Sequence, residues 1–401
     1  MSKSAATDPF AEVRKILAVR LDNMGDLLMT TPALRALKER FPNAELVLLT
    51  SKMASALAPF VPVIDCWLVY DAPWVKTYAE APTGASVMAM AVQLQQEQFD
   101  LAVIFTVYSQ NPLPAALLTF MAGIPLRLGY SHENPYNLLT HWFPDPEPQK
   151  VIKHEVQRQL DLVARIGAVT ATPTLVLTVD TAARQRTQAL LQRLGLRQDA
   201  SAAAGEPVEP GKLAEPLAGE PAEPWLLLHP GVSEEQRRYH AWGFAEAGKR
   251  LSRQLGWRIL VSGAPEERPL AAQVAGAIGE AAVNLAGELT LAEFIALVEA
   301  APLLITNNSG PVHIAAALGT PVVDLYATTN PQHTPWLVDH RVLYFDTTCK
   351  ACERGICTTP HHGQQRAIQP QKIVQAALAL LAETERLPVQ TKSRCPSSRN
   401  R

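Results

Sequence analysis

The sequence predicts an α/β protein built as two doubly wound domains. Three observations carry that expectation. Short apolar runs recur along the 401 residues, each followed by a polar loop and then a helical pattern. The alternation stops at a stretch rich in Ala, Glu, Pro and Gly, then restarts in the same style. The chain is long enough, and at 47% hydrophobic apolar enough, to bury two or three cores. Brief continuous apolar runs are what parallel strands covered on both faces look like. Their alternation with helices is the order of βαβ units.

The first half opens with a strand over residues 16–20 (ILAVR), a loop over 21–26 (LDNMGD) and a helix over about 27–40. Phe41-Pro42 ends that helix and residues 45–50 form the second strand. Gly25 sits at the first crossover, but there is no GxGxxG fingerprint, so a nicotinamide oxidoreductase has little support. The unit then repeats: strand 63–70, helix 87–98, strand 100–106, helix 114–122, and a short edge strand or turn at 127–130. A helix over 154–167, a strand over 175–178 and a helix over 181–194 complete this half. We delimit it as 14–194. Residues 195–224 (GLRQDASAAAGEPVEPGKLAEPLAGEPAEP) have few large apolar groups and read as a disordered linker or insertion.

The second half, 225–368, begins with a strand over 225–229 and the turn Pro230-Gly231-Val232-Ser233. Helix 244–255, strand 258–262, the loop Gly263-Ala264-Pro265-Glu266-Glu267, helix 269–278, strand 283–285 and helix 291–300 follow. The densest stretch is LLITNNSGPVHIAAALGTPVVDLY, residues 303–326. It reads as a strand at 303–305, a polar turn, a helix at 312–318 ended by Gly319, and another strand. Ser309 or Asn308 caps the helix, and Pro311 is tolerated in its first turn. Such a turn offers backbone N–H groups to a phosphate or to sugar hydroxyls; its alternative role is an ordinary α/β connection. A strongly apolar helix covers 373–382 within a terminal segment 369–385, and 386–401 is a polar, basic tail. Loops after parallel strands gather at one crevice, so the polar loops at 22–26, 230–233, 263–267 and 307–310 are expected to share it.

Composition excludes some classes. The net charge of -2 gives no general attraction to nucleic acid. No apolar run is long enough to span a bilayer, and MSKSAATDPFAEVRK does not resemble a signal peptide, so a cytoplasmic protein is expected. Five cysteines in this length do not form a disulfide scaffold.

ILAVRLDNMGDLLMTTPALRALKERFP, the His229-Pro230-Gly231 turn and NNSGPVHIAAALGTPVV together resemble glycosyltransferase family 9, the heptosyltransferases of lipopolysaccharide assembly and their relatives. The similarity spans roughly residues 15–382 apart from the linker. It implies a GT-B fold: two Rossmann-like domains across a cleft, the first taking the acceptor and the second a nucleotide-sugar donor. The last helix would cross back to the first domain. It further implies an inverting, metal-independent transfer of a heptose-like sugar from a nucleotide, ADP by preference, to a lipopolysaccharide-type glycolipid. No cofactor is implied, and the protein would touch the inner face of the cytoplasmic membrane peripherally. A family 9 enzyme with another donor or acceptor, and a non-catalytic nucleotide-sugar-binding protein, are the alternatives.

By the same resemblance Asp26 of the Gly25-Asp26 pair is the base that takes the acceptor's hydroxyl proton. Its alternative role is to cap the following helix, and Asp22 is the alternative base. Ser309, Gly310 and His313 suit the donor's diphosphate. Ser233 matches the family's hydroxyl loop near the phosphates, and Glu266 its acidic residue for the ribose. The chain departs from the family pattern twice. Asn308 stands where members often carry Asp. The usual lysine before a Trp-Pro pair falls near His240, so Arg238 is expected to serve the phosphate. Cys349, Cys352 and Cys357, with His361 and His362 beyond them, offer ligand types that suit a structural zinc; a reduced-thiol loop without metal is the other reading.

Overall fold

A computed structural model describes residues 8–75, 83–196, 223–232, 235–326, 331–344 and 368–386. The expectations for the linker (all but its ends), Ser233, the Cys349–Cys352–Cys357 cluster and the tail fall outside these residues.

The first half is one parallel six-stranded sheet, in the order β3-β2-β1-β4-β5-β6. Its strands are β1 (Lys15–Arg20), β2 (Glu45–Thr50), β3 (Cys66–Val69), β4 (Leu101–Ile104), β5 (Leu126–Ser131) and β6 (His141–Pro144). The helices are α1 (Met24–Arg40), the short α2 (Lys52–Ser55), α3 (Gly84–Gln96), α4 (Leu113–Met121) and α5 (Glu155–Ala164). α1 starts at Met24, earlier than its apolar spacing suggested, because Asn23 caps it. Asp26 is therefore inside the first turn rather than at the cap.

α1 is the pivot of the molecule. Leu27, Leu28, Leu34 and Leu37 on it are fully buried, each stabilising by about 1.5–3 kcal/mol relative to exposure. Pro32 lies within the helix and removes one N–H. The carbonyl of Leu28 instead accepts the Thr31 hydroxyl at 2.6 Å. That same hydroxyl oxygen accepts Val176 N–H at 2.8 Å. Here the structure departs from the expected strand at 175–178: the segment is extended but bonds to α1 and to Phe60 O instead of joining the sheet.

The second half repeats the design as β12-β11-β10-β7-β8-β9, all parallel. Its strands are β7 (Trp225–His229), β8 (Arg258–Val261), β9 (Ala282–Asn284), β10 (Leu304–Asn307), β11 (Val322–Tyr326) and β12 (His340–Tyr344). The helices are α7 (Ala241–Leu255), α8 (Arg268–Ile278), α9 (Leu291–Ala300), α10 (Gly310–Leu318) and α11 (Pro370–Glu383). Expectation and structure differ at α11. Its buried Ile373, Val374, Ala377, Leu380 and Leu381 belong to the second sheet's own core, against α7, β11 and β12, and do not cross back to the first half.

Helix α6 (Thr181–Arg193) precedes the linker but lies against α9 of the second half. Arg184 grips Glu299 bidentately at 2.7 Å for both bonds, and Arg186 meets Glu293 at 2.7 Å. α1 likewise packs on α10. One hydrophobic cluster runs through both halves, from Ile16 and Leu28 to Leu304 and Val312. The two lobes thus meet along α1–α10 and α6–α9.

Candidate active site

Each sheet reverses its strand order beside a central strand, and ligands in such sheets bind outside the carboxyl ends at that point. In the first lobe the reversal falls between β1 and β4. A cavity of about 220 Å³ opens there, lined by Asp22, Trp74, Phe105, Ser109, Gln110 and Pro114 among others. In the second lobe the reversal falls between β7 and β10. Asn307, fully buried at the end of β10, ties the two loops together. Its Nδ2 donates to Pro230 O at 2.8 Å, and its Oδ1 accepts Tyr239 N–H at 2.8 Å.

The two crevice faces touch through glycine. A Cβ built on Gly25 would stand 2.5 Å from Cδ2 of His313. Only a residue without a side chain lets the imidazole of α10 lie on the first turn of α1. A Cβ on Gly310 would stand 4.0 Å from that of Met24. The N-termini of α1 and α10 therefore meet, one bearing Asp26, the other Ser309, Gly310 and His313.

Asp26 is held from several sides. Its Oδ2 accepts Asn23 N–H at 3.0 Å, its Oδ1 lies 3.3 Å from Nη2 of Arg20, and Nε2 of His333 approaches Oδ1 to 4.0 Å. Burial alone would raise this carboxyl. Arg20, His333 and the Asn23 amide outweigh burial and hold it below the usual carboxylate range. Arg20 is wholly buried and shared by three acids: Asp22 at 3.0 Å, Asp26, and Glu155 at 2.8 Å. Gln159 Nε2 donates to the same Glu155 Oε1 at 2.6 Å. Asp22 goes the other way. Burial pushes it up to about 6, against the pull of Arg20 and of Gln110, whose Nε2 donates to it at 2.5 Å.

His313 is buried and its Nδ1 has no hydrogen-bond partner among the described residues. Desolvation, with His333 nearby, pushes it down to about 3, so the ring is neutral. Asn308 is also buried. Its amide nitrogen is turned inward, donating to Asp324 Oδ2 and to the carbonyl of His333, each at 2.9 Å. Asp324, on β11, is pushed up to about 8 by that burial. Ser309 stands at the N-cap position of α10, but its hydroxyl donates back to Asn307 O at 3.2 Å rather than capping the helix.

The remaining expected residues lie farther out. Glu266 is exposed in the single turn Pro265–Glu267. The acid that lies on the loop after β7 is Glu267: a Cβ on Gly231 would fall 2.1 Å from its carboxylate oxygens. Arg238 pairs with Glu235, three residues back. The charge of its neighbour Arg237, like that of Arg20, reaches His333.

Sequence reasoning missed Arg20, Glu155 and His333. Arg20 carried a signal, a charge closing a wholly apolar strand with Asp22 and Asp26 just beyond. Glu155 and His333 carried none, since the fold alone brings them there. The segment around His333 is clasped to the first lobe on both sides. Gln332 Nε2 donates to Glu147 Oε1 at 2.8 Å. His154 Nε2 donates to Thr334 O at 2.9 Å, while Nδ1 of the same ring accepts Val156 N–H, which fixes the tautomer. Trp336 stacks on His154 at 4.4 Å between centroids and donates to Pro173 O at 2.8 Å.

Comparison with known proteins agrees with this architecture. The family model described as "Glycosyltransferase family 9 (heptosyltransferase)" matches residues 87–362. Lipopolysaccharide heptosyltransferase 2 of Escherichia coli (strain K12) is 25% identical over 386 residues, covering 92% of this chain and 99% of its own. The crystal structure of a family 9 glycosyl transferase from Veillonella parvula superposes with a TM-score of 0.70 at 20% identity, over 92% of this chain and 97% of that one. The structure of E. coli ADP-heptose lps heptosyltransferase II gives 0.67 at 22% identity, over 92% and 99%.

Proposed function

This chain belongs to glycosyltransferase family 9, the heptosyltransferase family, and from that premise we propose that it is an inverting, metal-independent enzyme that moves a heptose from ADP to a lipopolysaccharide-type glycolipid. One observation carries the reading: the Gly25–His313 contact puts a buried carboxylate of the first lobe beside a helix N-terminus of the second. Asp26, ionised at neutral pH, takes the proton of the acceptor hydroxyl as that oxygen attacks the anomeric carbon. A single base and a direct displacement invert the centre, and no second carboxylate is needed as a nucleophile. The leaving diphosphate sits at the α10 N-terminus, where the helix dipole and Ser309, Gly310 and His313 favour an anion. Arg237 or Arg238 supplies the positive charge, Ser233 a hydroxyl, and Glu266 or Glu267 holds the ribose. ADP-heptose is the donor named for the E. coli structure, which supports ADP here.

A lipid-anchored acceptor is supported by the first lobe's surface. α3 and α4 pack together and contain no charged residue. They expose Met88, Val92, Leu117, Phe120 and Met121, while Pro114 and Ala115 at the start of α4 line the cavity at Asp22. No helix among the described residues is long and apolar enough to cross a membrane, so the contact we propose is peripheral. A second reading, another donor sugar on the same machinery, draws on Asn308, whose amide is spent on Asp324.

The test is a panel of nucleotide sugars offered with a lipopolysaccharide-core glycolipid, with and without EDTA. Products are followed by mass spectrometry and the new anomeric centre by NMR. ADP-heptose is expected to transfer with inversion and without added metal. Transfer from a different nucleotide sugar alone, or retention, overturns the reading.

A further inference from the structure

The imidazole of His333 has no structural task that the described residues reveal. Its backbone is fixed by Asn308 in its own lobe, and its neighbours Gln332 and Thr334 are fixed by Glu147 and His154 in the other. The ring is thereby held over the first turn of α1 with Nε2 buried, unpartnered among the described residues and 4.0 Å from Asp26 Oδ1. Resting on the function proposed above, we propose that His333 is a positioning residue that completes the base across the two lobes by receiving the acceptor's proton from Asp26.

The step balances. The acceptor O–H bond breaks as its oxygen bonds to the anomeric carbon. The bond from that carbon to the diphosphate oxygen breaks, and its electron pair leaves with the nucleoside diphosphate. The proton goes first to Asp26 and then to Nε2 of His333, which needs the tautomer protonated on Nδ1. The imidazolium then stands beside the Asp26 carboxylate and gives its proton to water as product leaves.

Two physical points favour the second transfer. Arg20 makes Asp26 a weakly basic resting place, whereas an imidazole is intrinsically the stronger base. The 4.0 Å gap is long for a hydrogen bond, but catalytic contacts in ligand-free enzymes commonly tighten when substrate binds. The charged and titratable groups around His333 are Asp26 on α1, Glu155 on α5, Arg20 on β1, Arg237 in the turn before α7, His313 on α10 and His154 before α5. Burial is the largest influence and disfavours an imidazolium, as do the two arginines, whereas the two anions stabilise it; the two neutral rings carry no charge to do either.

The test has two arms. In the first, His333→Gln and His333→Ala are compared with wild type for kcat and KM across about pH 5.5 to 9, with and without added imidazole. Loss of a general acid–base partner is expected to lower kcat by about 10–100-fold with each KM within about threefold. The acid limb of the wild-type profile should vanish, and imidazole should restore part of the His333→Ala rate. In the second arm, the His333 ring is titrated by NMR in wild type and in Asp26→Asn. A unit charge at that distance shifts the midpoint by at least about 0.7 unit even at bulk-water dielectric. The midpoint is therefore expected to fall by that much in Asp26→Asn. A wild-type kcat and pH profile in His333→Gln overturns the proposal. So does a loss confined to KM without imidazole rescue, or an unchanged His333 midpoint in Asp26→Asn. If wild type itself transfers nothing from ADP-heptose, the proposed function fails, and an unchanged midpoint in Asp26→Asn still separately overturns the coupling between the two residues.

Discussion

The two faces of the crevice are built from opposite materials. The first lobe presents buried charge, one arginine among Asp22, Asp26 and Glu155. The second presents buried neutral groups: Asn307, Asn308, the ring of His313 and the N-terminus of α10. A diphosphate entering the acid-rich face would meet three carboxylates for one guanidinium, which is why the seat we propose for it is the face made of dipoles. A neutral sugar hydroxyl has the converse preference, because the charged face offers an ionised carboxylate, Asp26. The division of labour we propose follows from which side can hold an anion and which offers the first proton acceptor.

Breaking the charged face is expected to have the largest effect. Arg20→Met leaves three buried carboxylates without their cation, and removing one partner of such a network costs about 3–5 kcal/mol. Urea unfolding should show that loss. It should grow as pH rises, because in the variant the folded state holds protons on these acids that the unfolded chain releases. Breaking the seam between the faces comes next. Gly25→Ala drives a methyl into the His313 ring, and overpacking of this kind costs about 1–3 kcal/mol; thermal melting reads the stability and a donor titration the displaced ring.

The neutral face has a sharper test in Asp324. Its carboxyl stays protonated in the folded protein up to about 8, while the unfolded chain ionises near 4. The folded state binds the extra proton between those values, so wild-type stability falls as pH rises through that window. Asp324→Asn removes this term, so its stability relative to wild type should rise by about 1 kcal/mol or more from pH 5 to pH 9 in denaturant titrations. The smallest effect concerns the outer surface. Met88→Glu with Phe120→Glu should lower co-sedimentation with anionic vesicles a few-fold and leave the melting temperature unchanged, since both side chains are exposed.

Much of the neutral face was legible. Asn308–Leu318 reads as turn and helix because its polar and apolar residues segregate cleanly, and β10 and β7 read as strands because both faces of each are covered. β1 and the Gly25-Asp26 loop were legible for the same reason. Long-range placement was not. Glu155 reaches Arg20 across 135 positions of sequence, and His333 lies in a segment without periodicity. β6 (HWFP) and β12 (HRVLY) escaped notice because edge strands are half-covered and mix polar with apolar side chains. The apolar run at 175–178 read as a strand, but the Thr31 hydroxyl, which donates to the Leu28 carbonyl freed by Pro32, accepts its Val176 N–H. The C-terminal helix was recognised, yet its apolar stripe does not say which lobe it covers.

The most direct test of the account is a single-turnover comparison of wild type and Asp26→Asn with ADP-heptose and a core glycolipid, alongside donor binding by calorimetry. The prediction is donor affinity within about threefold of wild type and a transfer rate lowered by about 10²–10⁴-fold. Transfer in Asp26→Asn within a few-fold of wild type would contradict it.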